Sequence, residues 1–188
     1  MVAEGHPTDL VKVIHLLMLS FSWGMQAWVS LIAGVVLIQQ VSRHTFGIVQ
    51  SKLFPAYFYC LIGSNLCNLV IYAAYHPRDL LDWHRDVQML LYIGALITAC
   101  LNSQWFAPSI NMLMFQTRKV EKEHGLGGQI GLFIPREGYE KLKERDSKYR
   151  VIRSKFDIYH RVSILCNLIG FIGTTINLIY TALNLATI

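Results

Sequence analysis

The sequence predicts an all-α protein: a multi-pass transmembrane four-helix bundle with a basic amphipathic helical segment between spans 3 and 4. Three observations predict it. First, the chain has 188 residues with 17 basic and 12 acidic side chains, so only 15% are charged, against about 25% in an ordinary soluble domain. Second, the charges are clustered, and residues 13–42, 53–77, 87–117 and 162–188 contain no Asp, Glu, Lys or Arg. A helix needs about 20 apolar residues to cross a lipid core, and each run exceeds that. Third, the runs do not alternate polar and apolar in the short segments of a membrane barrel. Backbone groups in lipid must bond within their own segment, so these runs are helices. The 53% hydrophobic fraction also excludes a disordered chain.

The spans follow in order. Span 1 is expected at about residues 10–38. It is not a cleavable signal peptide, because Lys12 stands against Glu4 and Asp9 where net positive charge is required. Span 2 is expected at 54–75, span 3 at 87–108 and span 4 at 162–185, with Pro55 and Pro108 marking two ends. The whole chain, 1–188, reads as a single membrane domain. Four spans place both termini and the 76–86 loop on one side. Of the 17 cations only Lys12, Arg78 and Arg85 fall there. The positive-inside bias makes the other side cytoplasmic and both termini outside or lumenal.

The segment 118–158 is the sizeable aqueous piece. Gly125 is placed to end the extension of span 3 as a left-handed C′ residue. Gly127 and Gly128 make a glycine-rich stretch that reads as a hinge, since it neither follows a strand nor opens a helix with a phosphate lysine. Gly131, Pro135 and Gly138 keep the next stretch irregular. Helical periodicity returns at Tyr139, with Asp146 or Ser147 able to cap a second helix. Tyr139, Leu142, Tyr149, Ile152, Phe156 and Tyr159 share an apolar face. Lys141, Lys143, Lys148, Arg150, Arg153 and Lys155 form the basic face, which suits a lipid surface and anionic headgroups. A solvated helix packed on its own bundle is the other reading.

Span 4 carries a polar seam. Steps of three and four residues from His160 reach Ser163, Asn167, Gly170, Thr174, Asn177, Thr181 and Asn184, all small or polar. Small residues let helices approach, and amides and hydroxyls bond across the gap. Gln26 on span 1, Asn65 and Asn68 on span 2, and Asn102 on span 3 are the partners for Asn167 and Asn177 in the bundle interior. Three readings stand: amides that join four helices, a polar path for a solute or ion, or a specific ligand site. The same seam is also able to serve a homo-oligomer. No Asp or Glu lies within a predicted span core, which argues against a carboxylate proton relay.

No catalytic or metal constellation stands out. His6, Asp9, His15, His76, Asp79, Asp82, His84 and Asp86 collect at the outer end without tight ligand spacing. Cys60, Cys67, Met112 and Met114 are soft ligand types, but core packing explains them. No metal, cofactor or nucleic-acid partner is expected. The four cysteines fall in charge-free runs and read as buried thiols.

Several stretches carry a family resemblance. They are Trp23-Gly24-Met25-Gln26-Ala27-Trp28-Val29, the run from Arg43-His44-Thr45-Phe46 to Pro55, Asn102 and Trp105 before Pro108, Val120-Glu121-Lys122-Glu123-His124-Gly125, and Tyr159-His160 with Ser163 and Cys166-Asn167. Together, in order and spacing, these resemble the transmembrane protein 205 family over nearly the whole chain, least well at 76–86 and 129–138. The resemblance implies a four-span protein without enzymatic activity, associated with cell resistance to platinum drugs through export or vesicular handling. The alternative is a membrane scaffold or trafficking component acting through the basic segment. Among the matching positions, Arg43, His44, Lys52, Glu121, His160 and Ser163 lie near the cytoplasmic ends of different spans. Glu121 pairing with Arg43 or Lys52 would tie those ends together.

Overall fold

The structure, a computed structural model, describes residues 8–75, 83–131 and 136–184. Four helical rods, Asp9–Gln40, Arg43–Tyr75, Asp86–Glu123 and Ser147–Leu183, are long and apolar enough to cross a membrane. Their large apolar side chains face outward: Leu31, Val70, Leu90, Ile97, Leu165 and Ile179 are each more than half exposed. The buried positions, by contrast, include many amides and hydroxyls. A water-soluble bundle shows the reverse, so the outer surface is the one that lipid covers.

The first rod is α1 (Asp9–Ala27), a wide π-helical turn at Trp28–Ala33, and α2 (Gly34–Gln40). The second is α3 (Arg43–Tyr75). The third is α4 (Trp83–Leu101), a second π turn at Asn102–Phe106, and α5 (Ala107–Glu123). After α6 (Glu137–Arg145) comes α7 (Ser147–Leu183). Each rod packs on the one before it, and α7 closes the ring against both α4 and α1. This is an up-and-down four-helix bundle.

Two expectations about ends need correcting. Pro55 lies inside α3, which begins at Arg43 rather than near Phe54. Two cations do not stop a helix, and a membrane bundle tolerates the bond that an internal proline removes because neighbouring groups satisfy the freed carbonyl. Pro108 sits in the first turn of α5 directly after the π turn, where its missing N–H is not needed. The 76–82 loop, and with it His76, Asp79 and Asp82, lies outside the described residues, as does His6.

The seam on α7 packs inside the chain. Gly170, Gly173, Thr174, Asn177 and Thr181 are buried, while Leu168, Ile172 and Ile179 point outward. A Cβ on Gly170 would lie 2.9 Å from Thr98 Oγ1, so α7 approaches α4 at the separation that only glycine allows. Aromatic and aliphatic groups fill the rest of the interior, in one cluster around Leu19, Tyr72 and Tyr92 and another around Tyr57, Phe58 and Leu61.

At the charged end, α5 stops where Gly125 takes φ 68°, the left-handed position a helix C-terminus favours. The following stretch is a strap, not the hinge expected from its glycines. Arg43 N–H donates to Gln129 C=O at 3.0 Å, His44 N–H to Gly127 C=O at 3.1 Å, and Gly131 N–H to Ile38 C=O at 3.2 Å. The first N–H groups of a helix have no partner within it, and the strap supplies two of them at the start of α3. Asp146 then caps α7, its carboxylate accepting from Tyr149 N–H at 3.0 Å.

Candidate functional site

The interior amides come first. Gln26, Asn65, Asn68, Asn102 and Asn177 are all at most 3% exposed, and Asn167 is half-buried. They do not converge, and none of the six hydrogen-bonds another. Instead, Gln26 Nε2 donates to Thr174 Oγ1 at 3.1 Å. Asn102 accepts from Ser163 Oγ at 2.7 Å and donates to Ser163 C=O at 3.3 Å. Asn167 accepts from Tyr57 Oη and donates to Ser30 Oγ, each at 2.9 Å. Ser30 and Asn102 each belong to a π turn. Both irregular turns therefore bond to the same stretch of α7, residues 163–167.

Asn68 and Asn177 behave differently. Both are fully buried, and neither amide has a hydrogen-bond partner in the protein. An unsatisfied buried amide costs roughly 1–3 kcal/mol, whereas an apolar group of similar shape does not. Asn177→Leu is therefore expected to leave thermal stability in detergent unchanged or raised, while Asn102→Leu lowers it by about 1–3 kcal/mol. A loss of stability in Asn177→Leu as large as that in Asn102→Leu would refute the assignment of unequal roles.

The charged end holds a second constellation, centred on Glu121. Its carboxylate is 2% exposed. Oε1 accepts from Tyr149 Oη at 2.7 Å, and Oε2 bonds His44 Nε2 at 3.0 Å. Arg43 and Arg153 flank Oε1 at 3.8 and 3.7 Å. The clasp thus joins the start of α3, the end of α5 and the start of α7, which here runs beyond the apolar stretch of the fourth span. Burial, and then the hydrogen bond to the carboxylate, push the Tyr149 phenol above its ordinary pKa. It stays protonated and donates. Lys52 is exposed and takes no part.

Two residues of the clasp have further anchors. Arg43 stacks over the Tyr139 ring, 4.3 Å from its centroid. Arg153 pairs with Asp157 at 3.1 Å. The Gly127 N–H is shared between Tyr139 Oη and Gln129 Oε1, each at 3.0 Å, holding the strap against the clasp.

Above the clasp opens a cavity of about 510 Å³. Val29, Phe54, Phe58, Ile110 and Ile164 give it apolar walls. Glu121, Asp157, Arg43, Arg118, Arg153, His44, Asn111 and His160 give it a polar end, and Ser163 and Asn167 line its side. His160 stacks on Phe156 with centroids 5.6 Å apart. The cavity is therefore amphipathic along its length, with all four rods contributing to its wall.

Residues 17–119 match a family model described as a domain of unknown function, DUF4149. The chain is 62% identical to transmembrane protein 205 of Danio rerio over 188 residues, covering the whole of both chains. The chain belongs to the transmembrane protein 205 family. No solved structure matches it. The matched domain includes Ser30, Arg43, His44 and Asn102 but ends before Glu121. In this member of the transmembrane protein 205 family the clasp is thus completed by residues beyond that domain.

The basic segment needs one correction. Arg153 does not face lipid: it lies one helical turn after Tyr149 on the inward face, drawn to Glu121 and Asp157. Lys141 pairs with Glu137 at 2.6 Å and Lys143 with Glu140 at 2.9 Å. Lys148, Arg150 and Lys155 are exposed. Tyr139, Leu142 and Tyr149 are buried on the bundle, so the amphipathic face packs inward. Sequence reasoning missed Ser30, Tyr57, Gly127 and Tyr149 as site residues. A signal for Tyr149 was present, since a tyrosine on a buried face needs a partner for its hydroxyl. Among the described residues no group of three or more His, Cys, Asp or Glu side chains is placed to hold a metal.

Proposed function

We propose that this member of the transmembrane protein 205 family is a non-enzymatic membrane protein that binds a small amphipathic solute between its spans. Export or vesicular handling of a drug or small solute follows from that binding. The observation that carries the reading is the 510 Å³ cavity, apolar along its walls and polar at the clasp. That combination of concavity, apolar lining and a few convergent polar groups is what a small-molecule site requires. The alternative, a scaffold acting through the basic segment, draws less support because Lys141, Lys143 and Arg153 are engaged within the chain.

Gly34 lines the cavity, and a Cβ there would meet nothing closer than 3.9 Å. Gly34→Leu is therefore expected to fill the cavity and weaken saturable binding of a neutral lipophilic fluorescent dye to protein in nanodiscs by about tenfold or more. No saturable binding by the wild type above empty nanodiscs would sink the reading. Platinum-compound uptake into proteoliposomes tests the export step separately, and flux equal to that of empty liposomes removes it.

The clasp and the basic segment are placed in the cytoplasm, with both termini outside or lumenal, on the strength of the cation bias. In a cysteine-free background, an impermeant thiol reagent is expected to label a cysteine at Thr187 from outside intact cells and one at Ser147 only after permeabilisation. Labelling of both from one side would overturn the orientation.

A further inference from the structure

A second cavity, of about 430 Å³, lies on the aqueous side of the clasp, between the start of α3, α6 and the start of α7. Four cations line it: Arg43, Arg136, Lys143 and Arg153. Glu140 is the one lining carboxylate, and the rings of Tyr139 and Tyr149 complete the wall. Arg43 and Arg153 line both this cavity and the solute cavity, whereas Arg136 and Lys143 line this one alone.

We propose that this basic cavity binds a phosphate ester. Charge is the first argument. Even after the Glu121 and Asp157 carboxylates behind the two arginines are counted, positive groups outnumber negative ones around the cavity. The excess is one positive charge, which calls for an anion, and the several separate donor groups around the cavity suit the multiple oxygens of a phosphate better than the two of a carboxylate.

Preorganisation is the second argument. Arg43 is fixed by stacking on Tyr139 at 4.3 Å. Arg153 is fixed by Asp157 at 3.1 Å and by lying over the Phe156 ring at 5.0 Å. Their distances to Glu121, 3.8 and 3.7 Å, are long for charge-assisted hydrogen bonds, which run nearer 2.7–2.9 Å. Each guanidinium therefore retains N–H donors in the fork geometry that matches phosphate oxygens.

The tyrosines are the third argument. Both hydroxyls are already committed, Tyr149 to Glu121 and Tyr139 to Gln129 Oε1 at 2.9 Å. They offer the cavity ring surface, not acceptors that would compete for the cations. The ligand is thus a phosphate group carried on a small organic body. A phosphorylated lipid headgroup and a soluble phosphate ester share that chemistry.

The test uses the full-length protein, titrated in phosphatidylcholine nanodiscs with inositol trisphosphate. A second set of nanodiscs contains phosphatidylinositol bisphosphate, and the same titration is run as a competition. The wild type is expected to bind the soluble ester saturably. The Arg136→Gln/Lys143→Gln variant, altered only at exposed or half-exposed positions outside the clasp, should lose about tenfold or more in affinity. The charge-matched Lys148→Gln/Lys155→Gln variant, outside the cavity, should retain it. Loss of soluble binding when the phosphorylated lipid is present assigns the headgroup as occupant, and unchanged binding assigns a soluble ester. No binding by the wild type, or equal loss in both variants, overturns the proposal. Neither result bears on the solute site between the spans, which Arg136 and Lys143 do not line.

Discussion

Glu121→Leu is expected to destabilise the folded protein by about 3 kcal/mol, the scale for removing one partner of a buried charged network. Two contributions set the size. Tyr149, fully buried, would lose the acceptor 2.7 Å away, and a hydrogen bond to a charged group is worth roughly 1.5–3 kcal/mol. His44 would lose its bond as well. Arg43 and Arg153 soften the loss, because their side chains are 23% and 20% exposed and keep Tyr139 and Asp157. Glu121→Gln, which retains an acceptor for Tyr149, should cost about half as much. Lys52→Gln, on an exposed side chain, should stay within about 0.5 kcal/mol. Equilibrium unfolding in mixed micelles measures all three. A double-mutant cycle between Glu121→Gln and Tyr149→Phe isolates what survives of their coupling. If Glu121→Leu unfolds no more readily than Lys52→Gln, the clasp is not what holds this end together.

Gly127→Ala should attack the same clasp from outside, at a cost of about 2–4 kcal/mol. Gly127 has φ 90°, and an added Cβ would fall on the His44 imidazole. The substitution strains the backbone and drives the ring off Glu121. In a His44→Ala background the ring is gone, so only the backbone strain of about 1–3 kcal/mol should remain. Gly128→Ala is the control, since nothing lies within 4 Å of its Cβ position. It should change stability by about 0.5 kcal/mol or less. Equal effects at Gly127 and Gly128 would contradict the close packing of strap on ring.

Much of the architecture is legible in the chain because lipid imposes a simple rule. Charge-free runs longer than a bilayer became rods, and the small-polar seam on α7 turned inward as its spacing required. The tie between Glu121 and Arg43 follows from opposite charges placed near the ends of different spans. What was not legible depends on register. Pro55 and Pro108 look like stops, yet α3 runs through the first, and a π turn sets the second at a helix start. A π turn leaves no composition signal, so Ser30 is recognisable as a partner of Asn167 only once it is rotated toward α7. Six interior amides were visible as a class. Which of them find partners, and that Asn68 and Asn177 do not, is decided by shifts of a single residue between neighbouring helices. Arg153 was grouped with the outward lysines because periodicity alone does not reveal that a buried carboxylate waits opposite.

The clasp also imposes an order on the making of the protein. Arg43, His44 and Glu121 are present once three spans have been synthesised, but Tyr149 and Arg153 arrive only with the start of the fourth. Until then the carboxylate lacks its shortest hydrogen bond and one of its two guanidiniums. A chain ending before residue 149 carries an incompletely neutralised acid at the end of α5, so the charged end is sealed only once the start of α7 is in place.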